Sequence, residues 1–143
     1  MGLRRDGREA AVQFLYQMDA HKPEKFEEAL AEFWRQNEEP KTVQDFTNDL
    51  LRGIVPKLPE IDAKIRTLAD NWDFERLAVV DRNVLRLAVY EMLHRPEIPP
   101  VVSINEAIEI AKKFSTAESG KFVNGLLDRV KNELLRPARH ASG

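Results

Sequence analysis

Apolar residues recur along the chain at three- and four-residue intervals, the spacing that puts side chains on one face of an α-helix. Ala10, Ala11, Phe14, Leu15 and Met18 mark a first stripe; Phe26, Ala29, Leu30 and Phe33 a second. Val43, Phe46, Leu50 and Ile54 form a third, and Ile61, Ile65, Leu68 and Trp72 a fourth. Between Leu77 and Leu93 the period is carried by Leu77, Val80, Val84, Leu87 and Ala88, while Leu85, Val89, Met92 and Leu93 widen the apolar face. A face that broad predicts a central helix buried on more than one side. Narrower stripes follow at Ile104, Ala107, Ile108 and Ala111, and at Val123, Leu127, Val130 and Leu134. No segment sustains period-two alternation, and Asn124-Gly125 lies inside a helical stripe rather than between two strands. The expected class is all-α, a compact bundle of about six or seven helices.

Breaks in the pattern place the helix ends. Prolines stand at 23, 40, 56, 59, 96, 99, 100 and 137, and proline costs about 3 kcal/mol inside a helix. Ser103-Ile104-Asn105-Glu106 and Ser115-Thr116-Ala117-Glu118 both fit the capping box, in which a hydroxyl and a carboxylate satisfy orphan amides at a helix start. A division near Trp72-Asp73 is expected, giving helical subdomains over about 1–72 and 73–136 and a short basic tail over 137–143.

Composition narrows the chemistry. With 143 residues, 43% hydrophobic and 32% charged, the chain has the material for its own core. No apolar run reaches the roughly 18–20 residues that cross a bilayer, and no apolar stretch follows Arg4-Arg5 to make a secretory signal, so a cytoplasmic location is expected. The absence of cysteine excludes disulfides, thiolate metal sites and cysteine nucleophiles. His21, His94 and His140 fall in separate segments. Ser119-Gly120-Lys121 resembles the end of a phosphate-binding loop, but Ser115 stands where its first glycine belongs and Phe122 where its magnesium-binding hydroxyl belongs. No catalytic residue, metal or cofactor is expected, and the protein is read as a non-enzyme. The net charge is −2 and the pI is near 6.0, so nucleic-acid binding requires a local patch rather than a global field.

Two such patches stand out. On the first helix Arg4, Arg5 and Arg8 lie along one flank of the apolar stripe, and Val12 and Tyr16 continue that flank. A guanidinium fork grips phosphate and an aromatic face stacks on an unpaired base, the pairing used to hold single-stranded RNA. The same residues also fit a solvated flank diluted by Asp6 and Glu9, with Tyr16 packed and its hydroxyl outward. On the last helix Phe122 lies about 100° off the apolar stripe, with Lys112, Lys113 and Lys121 around the preceding connection. Gly125 lies opposite that stripe. A mid-helix glycine costs ~1 kcal/mol relative to alanine, so either a ligand or backbone comes close there, or a second face packs on a neighbouring helix.

Four motifs in order carry a family resemblance. Arg4-Arg5 with Arg8-Glu9, Ala11-Val12-Gln13 and Leu15-Tyr16, then Val84-Leu85-Arg86-Leu87-Ala88 with Tyr90-Glu91, resemble the opening and central helices of the bacterial NusB antitermination factors. Ile104-Asn105-Glu106-Ala107-Ile108-Glu109 with Ala111-Lys112 and Phe114, and Lys121-Phe122-Val123-Asn124-Gly125 with Leu127-Asp128, are similar to that family's last two helices. The resemblance implies two small helical subdomains and a protein that binds boxA sequences of nascent RNA with NusE, a ribosomal protein. Other Nus factors and RNA polymerase complete the larger complex, which acts notably on ribosomal RNA operons. It implies RNA contacts from Arg4, Arg5, Arg8, Tyr16, Lys121, Phe122 and Asn124, and partner contacts near Asp81 and Glu118. Asp6 and Gly7 interrupt a segment often more continuously basic in the family. Three alternatives remain open: an RNA-recognition fragment of a ribosomal RNA methyltransferase, a protein-binding adaptor without RNA contact, and a homodimer formed through the RNA-facing surface.

Overall fold

Proline sets where several of the helices begin. Pro40 and Pro99 are N-cap residues, and Pro59 and Pro100 occupy first-turn positions, where the missing amide would have no intrahelical partner anyway. The computed structural model describes residues 2–69 and 74–142, with side chains described through residue 134. Among these the regular elements are α1 (Leu3–His21), α2 (Phe26–Gln36), α3 (Lys41–Ile54), α4 (Leu58–Leu68), α5 (Val79–His94), α6 (Pro100–Phe114) and α7 (Ala117–Ser142), with two short 3-10 turns and no strand. The all-α expectation holds. No described helix is long and apolar enough to cross a membrane.

The chain divides into two units, Met1–Pro56 and Lys57–Gly143. In the first, α1 packs on α3. Gly7 makes the approach close: a Cβ there would lie 2.4 Å from Phe46 Cδ2, and the Thr47 hydroxyl donates to the Gly7 carbonyl at 3.0 Å. Phe14 forms the core with its ring edge-on to Phe26 (5.7 Å) and Phe33 (5.6 Å), the T-shaped geometry that aligns ring edge with ring face. Trp34 Nε1 donates to Asn48 Oδ1 at 2.8 Å, and Arg52 forks onto both oxygens of Glu27, joining α2 to α3. The Arg52 hydrogen bond holds the Glu27 carboxyl below its usual range.

In the second unit α5 packs against α4, α6 and α7, and its residues from Asn83 to Met92 are all buried. The broad apolar face therefore did mark the central helix. Two of its buried polar groups, Arg86 and Glu91, are matched by its neighbours. Arg86 donates through Nε and Nη2 to the two oxygens of Asp62 on α4 (2.8 and 2.9 Å) and through Nη1 to Asn83 (3.0 Å). Ser103 on α6 donates to the buried Glu91 carboxylate at 2.7 Å.

Several boundaries differ from the sequence expectation. The units part at Pro56–Lys57 rather than near residue 72, because α4 packs on α5 and α7; Trp72 and Asp73 lie outside the described residues. Ser103 does not cap α6, which starts three residues earlier at Pro100; its hydroxyl is turned to Glu91 instead. The cap of α7 is Thr116, not Ser115: Thr116 Oγ1 accepts from the Ser119 amide at 3.1 Å. The helix runs on past Pro137 to Ser142, where a tail was expected.

Candidate nucleic-acid interface

On α1 the structure separates residues that the helical wheel groups together. Arg4 is exposed, Arg5 half-buried, and Tyr16 is 47% exposed. Arg8 is only 3% exposed, as is Val12, and the Arg8 guanidinium lies 5.8 Å from the Phe46 ring centre. The helical wheel groups Arg8 with the RNA candidates, whereas the structure places its side chain inside the first unit. The close approach at Gly7 brings α3 over this flank, so the first unit has the Arg8 side chain folded into its packing. Arg4, Arg5 and Tyr16 leave one or two guanidinium forks and an aromatic face at the α1 surface.

In the second unit, Arg76, Leu77 and Ala78 before α5, Asp81 in its first turn, and Thr116, Glu118, Ser119, Lys121 and Phe122 around the start of α7 line a pocket of about 540 Å³. It brings together four of the expected site residues, Asp81, Glu118, Lys121 and Phe122. Asp81 is 8% exposed. Ser119 donates to its Oδ2 at 3.2 Å, while Oδ1 has no hydrogen-bond partner. Burial pushes the Asp81 carboxyl above its ordinary range, and the Ser119 hydrogen bond opposes this in part. Glu118 and Lys121 form a 3.5 Å ion pair between largely exposed side chains, which is worth little and easily exchanged.

Asn124 is exposed on α7 but does not line the pocket. Gly125 is also exposed, and a Cβ there would meet nothing within 4 Å, so the neighbouring-helix explanation for this glycine fails. Sequence reasoning missed Arg76, Leu77, Ala78, Thr116 and Ser119 as site residues. The last was legible in part, since a serine on the α7 first turn beside a capping threonine is a natural inward donor; its partner Asp81, 38 residues away, was not. No three His, Asp or Glu side chains among the described residues converge as a metal site. Cations, an aromatic ring and amides suit an extended anionic ligand with unpaired bases.

Residues 5–132 match the NusB family. The chain belongs to that family. Its NusB relatives include the transcription antitermination protein NusB of Myxococcus xanthus, 44% identical over 140 residues that cover 96% of this chain and 100% of that one. Among solved structures, T. maritima NusB is similar with a TM-score of 0.79 and 45% identity, covering 91% of both chains. A structure of the antitermination factors NusB and NusE in complex with dsRNA is similar with a TM-score of 0.81 and 28% identity, covering 93% of this chain and 98% of that one.

Proposed function

We propose that this chain is a transcription antitermination factor, a non-enzymatic adaptor that binds boxA sequences of nascent RNA together with NusE in the cytoplasm. The observation that carries the reading is the likeness, over nearly the whole chain, to a NusB solved with NusE and RNA. The exposed and half-buried chemistry of two helices supports it. Arg4, Arg5 and Tyr16 on α1, and Lys121, Phe122 and Asn124 on α7, supply phosphate forks, stacking faces and amide contacts to single-stranded RNA. Asp81 and Glu118, at the pocket beside α7, are assigned to the partner surface. Other Nus factors and RNA polymerase join in the larger complex on ribosomal RNA operons.

Fluorescence anisotropy with a labelled boxA RNA and a scrambled control, with and without purified NusE and across a salt series, tests this. Preferential boxA binding strengthened by NusE is expected. With Arg8 folded inward, three phosphate contacts from Arg4, Arg5 and Lys121 give a log–log salt slope of about −2 on single strands. Equal affinity for both RNAs with NusE present would sink the RNA role and leave a protein-only adaptor.

A further inference from the structure

Gly125 sits inside α7, a helix that runs from Ala117 to Ser142. Alanine in its place would favour the helix, so the glycine calls for a reason, and the usual ones fail. It does not have a positive φ. It does not admit a neighbour among the described residues, because a Cβ there would meet nothing within 4 Å. Gly120, on the same helix, shows what an internal reason looks like: a Cβ there would lie 2.8 Å from Lys112 Cγ on α6.

The surroundings indicate what the bare backbone faces. On a helix the residues nearest a position are those three and four away, here Lys121 and Phe122 on one side and Asp128 and Arg129 on the other. Lys121 and Asn124 are exposed, Phe122 is half-buried at the pocket edge, and Asp128 is paired with Lys131 at 3.4 Å. From Lys121 to Asn132 every exposed residue is polar, charged or glycine; Val123, Leu126, Leu127 and Val130 are all buried. A protein interface is centred on apolar anchors, and this face has no exposed aliphatic side chain to supply one. A cation, a ring edge and an amide around bare backbone suit a nucleic-acid strand instead.

We propose that Gly125 is where the RNA strand crosses α7, with ribose or base lying directly on the helix backbone beside Phe122 and a phosphate within reach of Lys121, about 6 Å back along the axis. The contact rests on the RNA-binding reading above. The glycine is kept for the space it leaves, so the strand comes closer to α7 than any side chain would allow.

The test is a size series, Gly125→Ala and Gly125→Leu, in the full chain, with Asn132→Leu as a control farther along the exposed face. Thermal melting, binding of NusE alone, and anisotropy with boxA RNA in the presence of NusE are read for each. Gly125→Ala should raise Tm by about 3–5 °C through helix propensity and weaken RNA binding several-fold. Gly125→Leu should weaken it at least tenfold, while NusE binding and the Asn132→Leu control stay at wild-type values. Unchanged RNA affinity in the leucine variant overturns the contact, as does a fall in Tm for the alanine variant. Loss of NusE binding with RNA affinity retained assigns the face to the protein partner and overturns it equally. A wild-type chain that does not prefer boxA RNA brings down the RNA reading itself, and this contact with it.

Discussion

Two glycines inside helices look alike in the sequence and are opposites in the structure. Gly7 on α1 lies under Phe46 and Thr47, with no room for even a methyl group; Gly125 on α7 faces open space. Each weakens its helix by about 1 kcal/mol relative to alanine. In the first unit that loss is offset by close packing of α3 and a hydrogen bond from Thr47. In the second nothing among the described residues offsets it. The arginines divide in the same way, with Arg8 and Arg86 buried against internal partners and Arg4 on the surface. A residue whose partner is inside the chain reports on stability; one whose partner is absent reports on what the chain binds.

Substitutions can break that division, and the largest effect is expected where an internal partner is removed. Asp62→Ala leaves the buried Arg86 fork without its carboxylate and should destabilise by about 3–5 kcal/mol in denaturant titration; a loss below about 1 kcal/mol would show the pair to be peripheral. Gly7→Ala follows at about 1–3 kcal/mol, the usual effect of overpacking, with partial recovery when Phe46 is trimmed to leucine in the same chain. It should lower Tm where Gly125→Ala raises it, and two changes of the same sign would erase the contrast.

Next comes the pair Arg8→Ala and Arg4→Ala. The first should lower stability by about 1–3 kcal/mol with the boxA salt slope unchanged. The second should leave the melt unchanged and make that slope shallower by about 0.7, the value of one phosphate contact on a single strand. Exchanged outcomes would put Arg8 back on the RNA.

The smallest effect belongs to Asp81. Its folded-state carboxyl titrates above the ordinary aspartate range because it is buried. Its stabilising contribution is therefore fully present below that range and is lost as pH rises through the raised value. Asp81→Asn keeps an acceptor for Ser119 and removes the charge. The difference in stability between wild type and variant should grow in the variant's favour over that rise, and a pH-independent difference would show that Asp81 is not desolvated.

How much of this was legible follows from what a helical wheel can and cannot express. The wheel identifies which residues share a face, so the α5 core and the last apolar stripe could be read from spacing alone. It does not say how far a neighbouring helix reaches around that face. Arg8 was grouped with Arg4 because the two lie one turn apart; what covers Arg8 is Phe46, 38 positions on, admitted by the small volume of Gly7. The capping motifs failed for a related reason. Ser103 and Ser115 satisfy the local pattern, but Pro100 started α6 earlier, and Thr116 was the hydroxyl in line with the Ser119 amide. The pocket combined residues before α5 with residues at the start of α7, and only their spatial meeting revealed Asp81 as a buried carboxylate. Arg4, Tyr16 and Lys121 could be picked out from residue type and helical position, whereas Asn124 entered only through the family resemblance.

The buried polar groups of α5 also bear on inheritance. Arg86 is satisfied by Asp62, and Glu91 receives the Ser103 hydroxyl; neither member of such a pair is easily altered alone, since the survivor would be a stranded buried charge or hydroxyl. Positions 62 and 86, and 91 and 103, should therefore drift through descendants of this chain as linked pairs, passing together from polar to apolar or not at all, while the exposed positions of α7 carry no such buried tie.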